Sequence, residues 1–147
     1  MTEFHPYISF PGNGKQAFDF YQSIFGGELQ AMYYDDFSQE AAEQFPFELP
    51  TGKLAHATLR GGMVALSGGD AIEQQPAALT SDVYSFLLYC NSLEQAQEIA
   101  DSLAQADGKV IAPVELAPWG QYYGQVRDQF GVLWALNVVC PEQRINK

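Results

Sequence analysis

Leu54-Ala-His56-Ala-Thr-Leu-Arg60-Gly-Gly-Met-Val-Ala65-Leu66-Ser67 and Tyr122-Tyr-Gly-Gln-Val-Arg127-Asp-Gln-Phe130-Gly131-Val-Leu-Trp134-Ala135-Leu136-Asn137-Val-Val139 are two versions of one pattern. Each runs an alternating stretch into an arginine, turns at glycine and leaves through an apolar run ending Ala-Leu-polar. A second echo lies upstream of each. Tyr7-Ile-Ser-Phe10 leads into a helix containing Lys15-Gln16-Ala17, and Leu87-Leu-Tyr-Cys90 leads into one containing Glu94-Gln95-Ala96. Self-similarity at so long a period predicts an architecture of related copies, with a cleft where the two halves meet.

Working outward, the element order reads β-α-β-β-β, twice. Residues 4–10 alternate at strand period, and residues 15–25 place Ala17, Phe18, Tyr21, Ile24 and Phe25 at helical spacing. Asn13 is the expected cap of that helix and Gly26-Gly27 its end. Strands are expected at 28–34, 53–60 and 63–67, the last two joined by Gly61-Gly62. Residues 35–52 read as a long acidic loop whose Phe37, Phe45 and Phe47 are assigned to a dimer contact or a lid. Gly68-Gly69-Asp70, Gln74 and Pro76 mark residues 69–82 as a linker between modules 1–68 and 83–140. The second module opens with a strand at 83–90. Ser92-Leu-Glu-Gln95 is a capping box, followed by a helix burying Leu93, Ala96, Ile99, Ala100 and Leu103. Strands at 109–116, 121–127 and 132–139 complete it. The predicted class is α+β: paired βαβββ modules in a curved eight-stranded sheet, a helix on the outer face of each half.

The bulk properties narrow the function. At 147 residues and 47% apolar content the chain is one globular domain. A net charge of −11 with seven basic residues argues against nucleic acid and anionic membranes. The longest apolar run is too short to cross a bilayer. The N-terminus lacks the pattern of a signal peptide. Cys90 and Cys140 make no disulfide framework and are read as buried reduced thiols, so a cytoplasmic location is expected.

Tyr7-Ile-Ser-Phe-x-Gly-Asn13, Ala17-Phe-x-Phe-Tyr21, Phe25-Gly-Gly-Glu28, Ala55-His56-Ala57 and Asp128-x-Phe-Gly-Val-x-Trp-x-Leu-Asn-Val138 resemble the PhnB-like branch of the vicinal-oxygen-chelate superfamily, the glyoxalase/bleomycin-resistance/dioxygenase group. The resemblance covers nearly the whole chain. It implies a small-molecule ligand in the inter-module cleft, a homodimer, and in the enzymes a divalent metal (Zn, Ni, Mn or Fe) held by one His or Glu from each of four strands. The matching positions here read His5, Ala65, Ser85 and Ala135, with Ala65 and Ala135 taken as twins in the repeat. A methyl group donates nothing to a metal, which weakens the usual site. The methyltransferase label carried by some PhnB-like sequences has no support here, because the chain lacks a Gly-rich strand-to-helix turn for a nucleotide-like cofactor.

The two histidines exclude a three-histidine site within one chain. The remaining metal candidates are His5, His56 and Glu115. His56 is also the candidate catalytic acid or base, since imidazole titrates near neutrality; the competing reading is a strand histidine satisfied by a hydrogen bond. Tyr7, Ser9, Ser67, Trp119, Tyr122 and Arg127 are the candidate ligand contacts. Arg127 offers a planar donor fork, or else an ion pair with Asp128 or a neighbour. Two functions follow: a metal-assisted enzyme acting on a small molecule, or a metal-free protein that sequesters one.

Overall fold

The computed structural model describes residues 1–73 and 78–139. The chain forms two compact units, Met1–Ala78 and Leu79–Lys147. In the first, β1 (Tyr7–Phe10) is followed by α1 (Gly14–Phe25), β2 (Glu28–Tyr33), a 3-10 turn (Tyr34–Asp36), α2 (Gln39–Glu43), β3 (Leu54–Arg60) and β4 (Leu66–Asp70). In the second, β5 (Phe86–Tyr89) is followed by α3 (Leu93–Leu103), β6 (Lys109–Leu116), β7 (Tyr122–Arg127) and β8 (Leu133–Val138). The eight strands form two four-stranded sheets, ordered β1-β4-β3-β2 and β5-β8-β7-β6. In each, the first and last strands pair in parallel and the rest antiparallel. The βαβββ repeat and the α+β class are therefore as the sequence predicts.

Each helix buries the stripe that its period predicts. Ala17, Phe18, Tyr21 and Phe25 are buried against β2, β3 and β4, with Phe18 edge-on to both Phe10 and Tyr21. Truncating a buried phenylalanine of this kind costs about 3–5 kcal/mol. Gly68 lies beneath Phe18 because nothing larger fits: a Cβ there would stand 2.5 Å from the Ile8 carbonyl oxygen and 3.2 Å from the Phe18 ring. In the second unit Ala96, Ile99, Ala100 and Leu103 are buried on α3, which packs on β6, β7 and β8. The Ser92 hydroxyl accepts from Gln95 N at 3.0 Å, while the Gln95 side chain accepts from Asn91 N at 2.7 Å.

Four local expectations change. Asn13 makes no side-chain cap; the Asp70 carboxylate reaches across and accepts from Gly14 N at 2.8 Å instead. The strand expected at 63–67 occupies Leu66–Asp70, because Ser67 through Asp70 pair with Tyr7 through Phe10. Gly68, Gly69 and Asp70 are thus buried strand rather than linker or loop; Gln74 and Pro76, like Cys140, lie outside the described residues. The stretch 35–52 is partly helical, and Tyr34, Phe37, Phe45 and Phe47 pack on one another at ring separations of 5.5 to 6.4 Å. Phe47 remains 38% exposed at the edge of this cluster.

Candidate functional site

A strand sends alternate side chains to opposite faces. In each unit one face is covered by the helix, so ligand chemistry belongs to the other. On the first sheet Ile8, Phe10, Ala57, Leu59 and Leu66 turn toward α1 and are buried. Tyr7, Ser9, Ser67, Thr58 and His56 take the opposite face. A bulge helps to arrange this. Met32 pairs with His56 and Tyr33 with Leu54, so Ala55 is an extra residue in β3. It lets Leu54 share the covered face while His56 points away.

The floor of the uncovered face is Ser67 and Gly69. Gly69 cannot carry a side chain, since a Cβ would lie 2.8 Å from the Ala55 carbonyl oxygen. With this floor low, the Tyr7 and His56 rings approach across β4 to 5.9 Å. Burial, and then Tyr34, raise the Tyr7 pKa above the ordinary phenol value, so it stays a neutral donor at pH 7. His56 is exposed, with Nε2 3.2 Å from the Thr58 hydroxyl. His5 sits 3.1 Å through Nδ1 from the buried Ser67 hydroxyl and 3.7 Å through Nε2 from Glu3. Glu3 also pairs with Arg60. Of the sequence candidates, the first unit thus brings together His5, Tyr7, Ser9, His56 and Ser67.

On the second sheet Phe86, Leu88, Val126, Trp134 and Leu136 turn toward α3. The uncovered face shows Leu87, Tyr89, Ala135, Asn137, Tyr123 and Gln125. Tyr123 pairs with Asn137, and Tyr122 with Val138. Tyr122 therefore falls on the covered-face parity, and Tyr123 is the tyrosine on the uncovered side. Trp119, 62% exposed, meets the Tyr123 ring at 6.1 Å. Glu115 lies opposite Tyr123. Arg127 ties its own hairpin to the segment before β5: it pairs with Asp82, not Asp128, and donates to Gly131 O at 3.0 Å and Ser81 O at 3.4 Å.

Asp128 has a different task. It is 3% exposed and accepts from Phe130 N at 2.9 Å, Val132 N at 3.0 Å and Trp134 Nε1 at 2.9 Å. The Asp-x-Phe-Gly-Val-x-Trp motif is thus one hydrogen-bonded turn. Gly131 takes φ 98° at its tip, a conformation that favours glycine.

The register also corrects the metal positions. Tyr7 pairs with Ser67, and Leu87 with Ala135. The repeat twin of Ala135 is therefore Ser67; Ala65 is an exposed residue before β4. The row in the second sheet reads Leu87 and Ala135, with Ser85 one row off, and its equivalent in the first sheet reads Tyr7 and Ser67, with His5 one row off. The sequence comparison slipped by two because it matched Ala65-Leu66-Ser67 to Ala135-Leu136-Asn137, whereas Leu59 pairs with Leu66 and Val126 with Trp134, so the second hairpin is longer by one residue rather than three. No residue of either row is a histidine or carboxylate. Among the described residues no group of three or more His, Cys, Asp or Glu side chains comes together to hold a metal ion, so His5, His56 and Glu115 form no such cluster. The donor set does not fit a chelated divalent metal.

Sequence reasoning missed Tyr89 and the setting of Asn137, and of the adjacent Tyr122 and Tyr123, which cannot both face the same side, it took Tyr122. Counting by twos from Ala135 and Leu87 would have found Asn137 and Tyr89.

The family model of the Glyoxalase/Bleomycin resistance protein/Dioxygenase superfamily matches residues 4–136. The chain is 32% identical over 142 residues to Protein YjdN of Escherichia coli strain K12, covering 91% of this chain and 93% of that protein. Among solved structures, protein PA1353 from Pseudomonas aeruginosa superposes with a TM-score of 0.77 at 29% identity, over 95% of this chain and 98% of that one. The PhnB protein from Bacillus cereus shares the fold at a TM-score of 0.72 and 23% identity, over 94% of this chain and 100% of that one. No helix among the described residues is long and apolar enough to cross a membrane.

Proposed function

The chain belongs to the glyoxalase/bleomycin resistance protein/dioxygenase superfamily, and from that premise we propose that it binds a small organic molecule without a chelated metal. The observation that carries this reading is a pair of equivalent positions, Tyr7 beside Ser67 in the first sheet and Leu87 beside Ala135 in the second. Where an enzyme of the superfamily would present imidazoles and carboxylates, this chain presents a phenol, a hydroxyl and two hydrocarbon side chains. Such a lining suits contact with an apolar or aromatic body, fixed by a few polar groups. Tyr7, Ser9, His56 and Ser67 supply those groups in the first unit, and Trp119 and Tyr123 in the second. A homodimer in the cytoplasm is the assembly and setting that the superfamily implies.

The test is metal content after untagged purification, followed by thermal shift with Zn, Ni, Mn and ferrous iron and then with a small-molecule library. The expected result is substoichiometric metal, no metal-dependent stabilisation, and saturable ligand binding weakened by Tyr7→Ala. Stoichiometric metal that is lost in His5→Ala or His56→Ala would overturn the proposal and restore the metal-assisted enzyme.

A further inference from the structure

On the second sheet, Asn137 is 9% exposed and donates through Nδ2 to Gln121 Oε1 at 2.9 Å. Its Oδ1 is buried with no hydrogen-bond partner among the described residues. A buried acceptor without a donor is costly, and such atoms are rare in folded proteins. Strand parity aims this side chain to the face turned away from α3. Its register neighbours there are Tyr89 on β5 and Tyr123 on β7. Trp119 stands against Tyr123, and Glu115 closes the same row on β6. Tyr89 and Trp119 are 71% and 62% exposed.

We propose that this row is a binding site for an organic ammonium ion, whose N–H donates to Asn137 Oδ1 while its charged centre lies against the faces of Tyr89, Tyr123 and Trp119. The inference rests on the reading of a metal-free small-molecule binder and names the ligand class of its second unit. Three considerations converge on a cation. The orphan atom is an acceptor, so its partner must donate. Aromatic faces attract a positive charge within about 6 Å of the ring centroid. Glu115 at the row's end and the net charge of −11 add a field that draws cations in. The basic groups on the same face, Arg127 and Lys109 opposite it on β6, lie at the far end of the sheet, two rows along β7 from Tyr123, and Arg127 is already engaged by Asp82.

The probes are phenethylammonium, 2-phenylethanol and 3-phenylpropionate, which share an aromatic body and differ in head-group charge. Binding is followed by NMR titration of the Trp119 indole and the Asn137 side-chain amide. The expected result is saturable binding of phenethylammonium at both resonances, with the alcohol and the carboxylate at least about tenfold weaker. Trp119→Ala, an exposed position whose loss spares the fold, should weaken the cation by about 2- to 30-fold, and Asn137→Leu should abolish its preference over the alcohol. Equal binding of all three probes, preference for the carboxylate, or shifts confined to the Tyr7 and His56 face would overturn the proposal while leaving the small-molecule reading intact. Failure of every organic probe and of the wider library would remove that reading as well.

Discussion

Replacing Asp128 by alanine removes one carboxylate and strands two buried donors, Val132 N and Trp134 Nε1, while Phe130 N can turn to water. Each buried donor left unmade costs about 1–3 kcal/mol, so Asp128→Ala should destabilise the protein by about 3–4 kcal/mol. Asp128→Asn should cost less, about 2 kcal/mol, because the amide oxygen still serves the backbone while its NH₂ faces the indole N–H. The assay is urea unfolding at pH 7 followed by far-UV circular dichroism, a signal that does not depend on Trp134 and so reads every member of a mutant cycle. With an m-value of about 2 kcal/mol/M, the alanine variant's midpoint should fall by roughly 1.5–2 M. The decisive measurement is the double-mutant cycle with Trp134→Phe, which removes the stranded indole donor and should show coupling of at least about 1 kcal/mol. A midpoint shift worth less than about 1 kcal/mol, or zero coupling, would refute the assignment of Asp128 as the hydrogen-bonding centre of the hairpin.

The Asp70 carboxylate accepts from Gly14 N at 2.8 Å and Leu54 N at 2.9 Å, joining the start of α1 to β3. Asp70→Ala should therefore cost about 2–3 kcal/mol and Asp70→Asn about half as much, read as the loss of thermal midpoint by calorimetry; equal losses would show that the acceptors are not what matters. Burial raises the Cys90 pKa, so in a Cys140→Ser background its reaction with a disulfide reagent at pH 8 should be at least about tenfold slower folded than in urea. The sign of the linkage follows. With the folded pKa above the unfolded value of about 8.5, the stability gained from the protonated thiol is complete below that value and lost as pH rises through the folded one. A Cys90→Ala variant should show a shallower alkaline loss of stability, and an unchanged slope would contradict this.

The repeat, the element order and the helix stripes were legible because they rest on local periodicity, which sequence carries directly. The three-residue displacement of β4 was not. Met63-Val-Ala-Leu-Ser67 has strand composition throughout, and only the parallel pairing with Tyr7–Phe10 decides which residues form the ladder. Asn13 likewise has the composition of a cap, but Asp70, 56 residues beyond Gly14, is the group that accepts from Gly14 N. Long-range competition of this kind leaves no mark in a local window. Tyr122 against Tyr123 turned on absolute parity, which pairing with β8 fixes and alternation alone does not.

Superposing the two halves on their pairing registers separates what the fold requires from what a ligand requires. On the helix-covered faces the twins remain alike in kind: Ile8 with Leu88, Leu59 with Val126, Leu66 with Trp134, all apolar and each closing a core under its own helix. On the other faces they diverge in chemistry: Tyr7 with Leu87, Ser9 with Tyr89, His56 with Tyr123, Ser67 with Ala135, Gly69 with Asn137. A metal gripped symmetrically by both halves would constrain those second pairs to matching donors, and none of them matches. One half carries hydroxyls and imidazoles over a glycine floor; the other carries aromatic rings around a buried amide. Each unit therefore offers its own chemistry, hydrogen-bonding groups on the first sheet and aromatic rings beside an amide on the second. Tyr7→Ala should therefore leave phenethylammonium binding, read at the Asn137 side-chain amide, unchanged while Trp119→Ala weakens it, and equal loss in both variants would refute a site confined to the second unit.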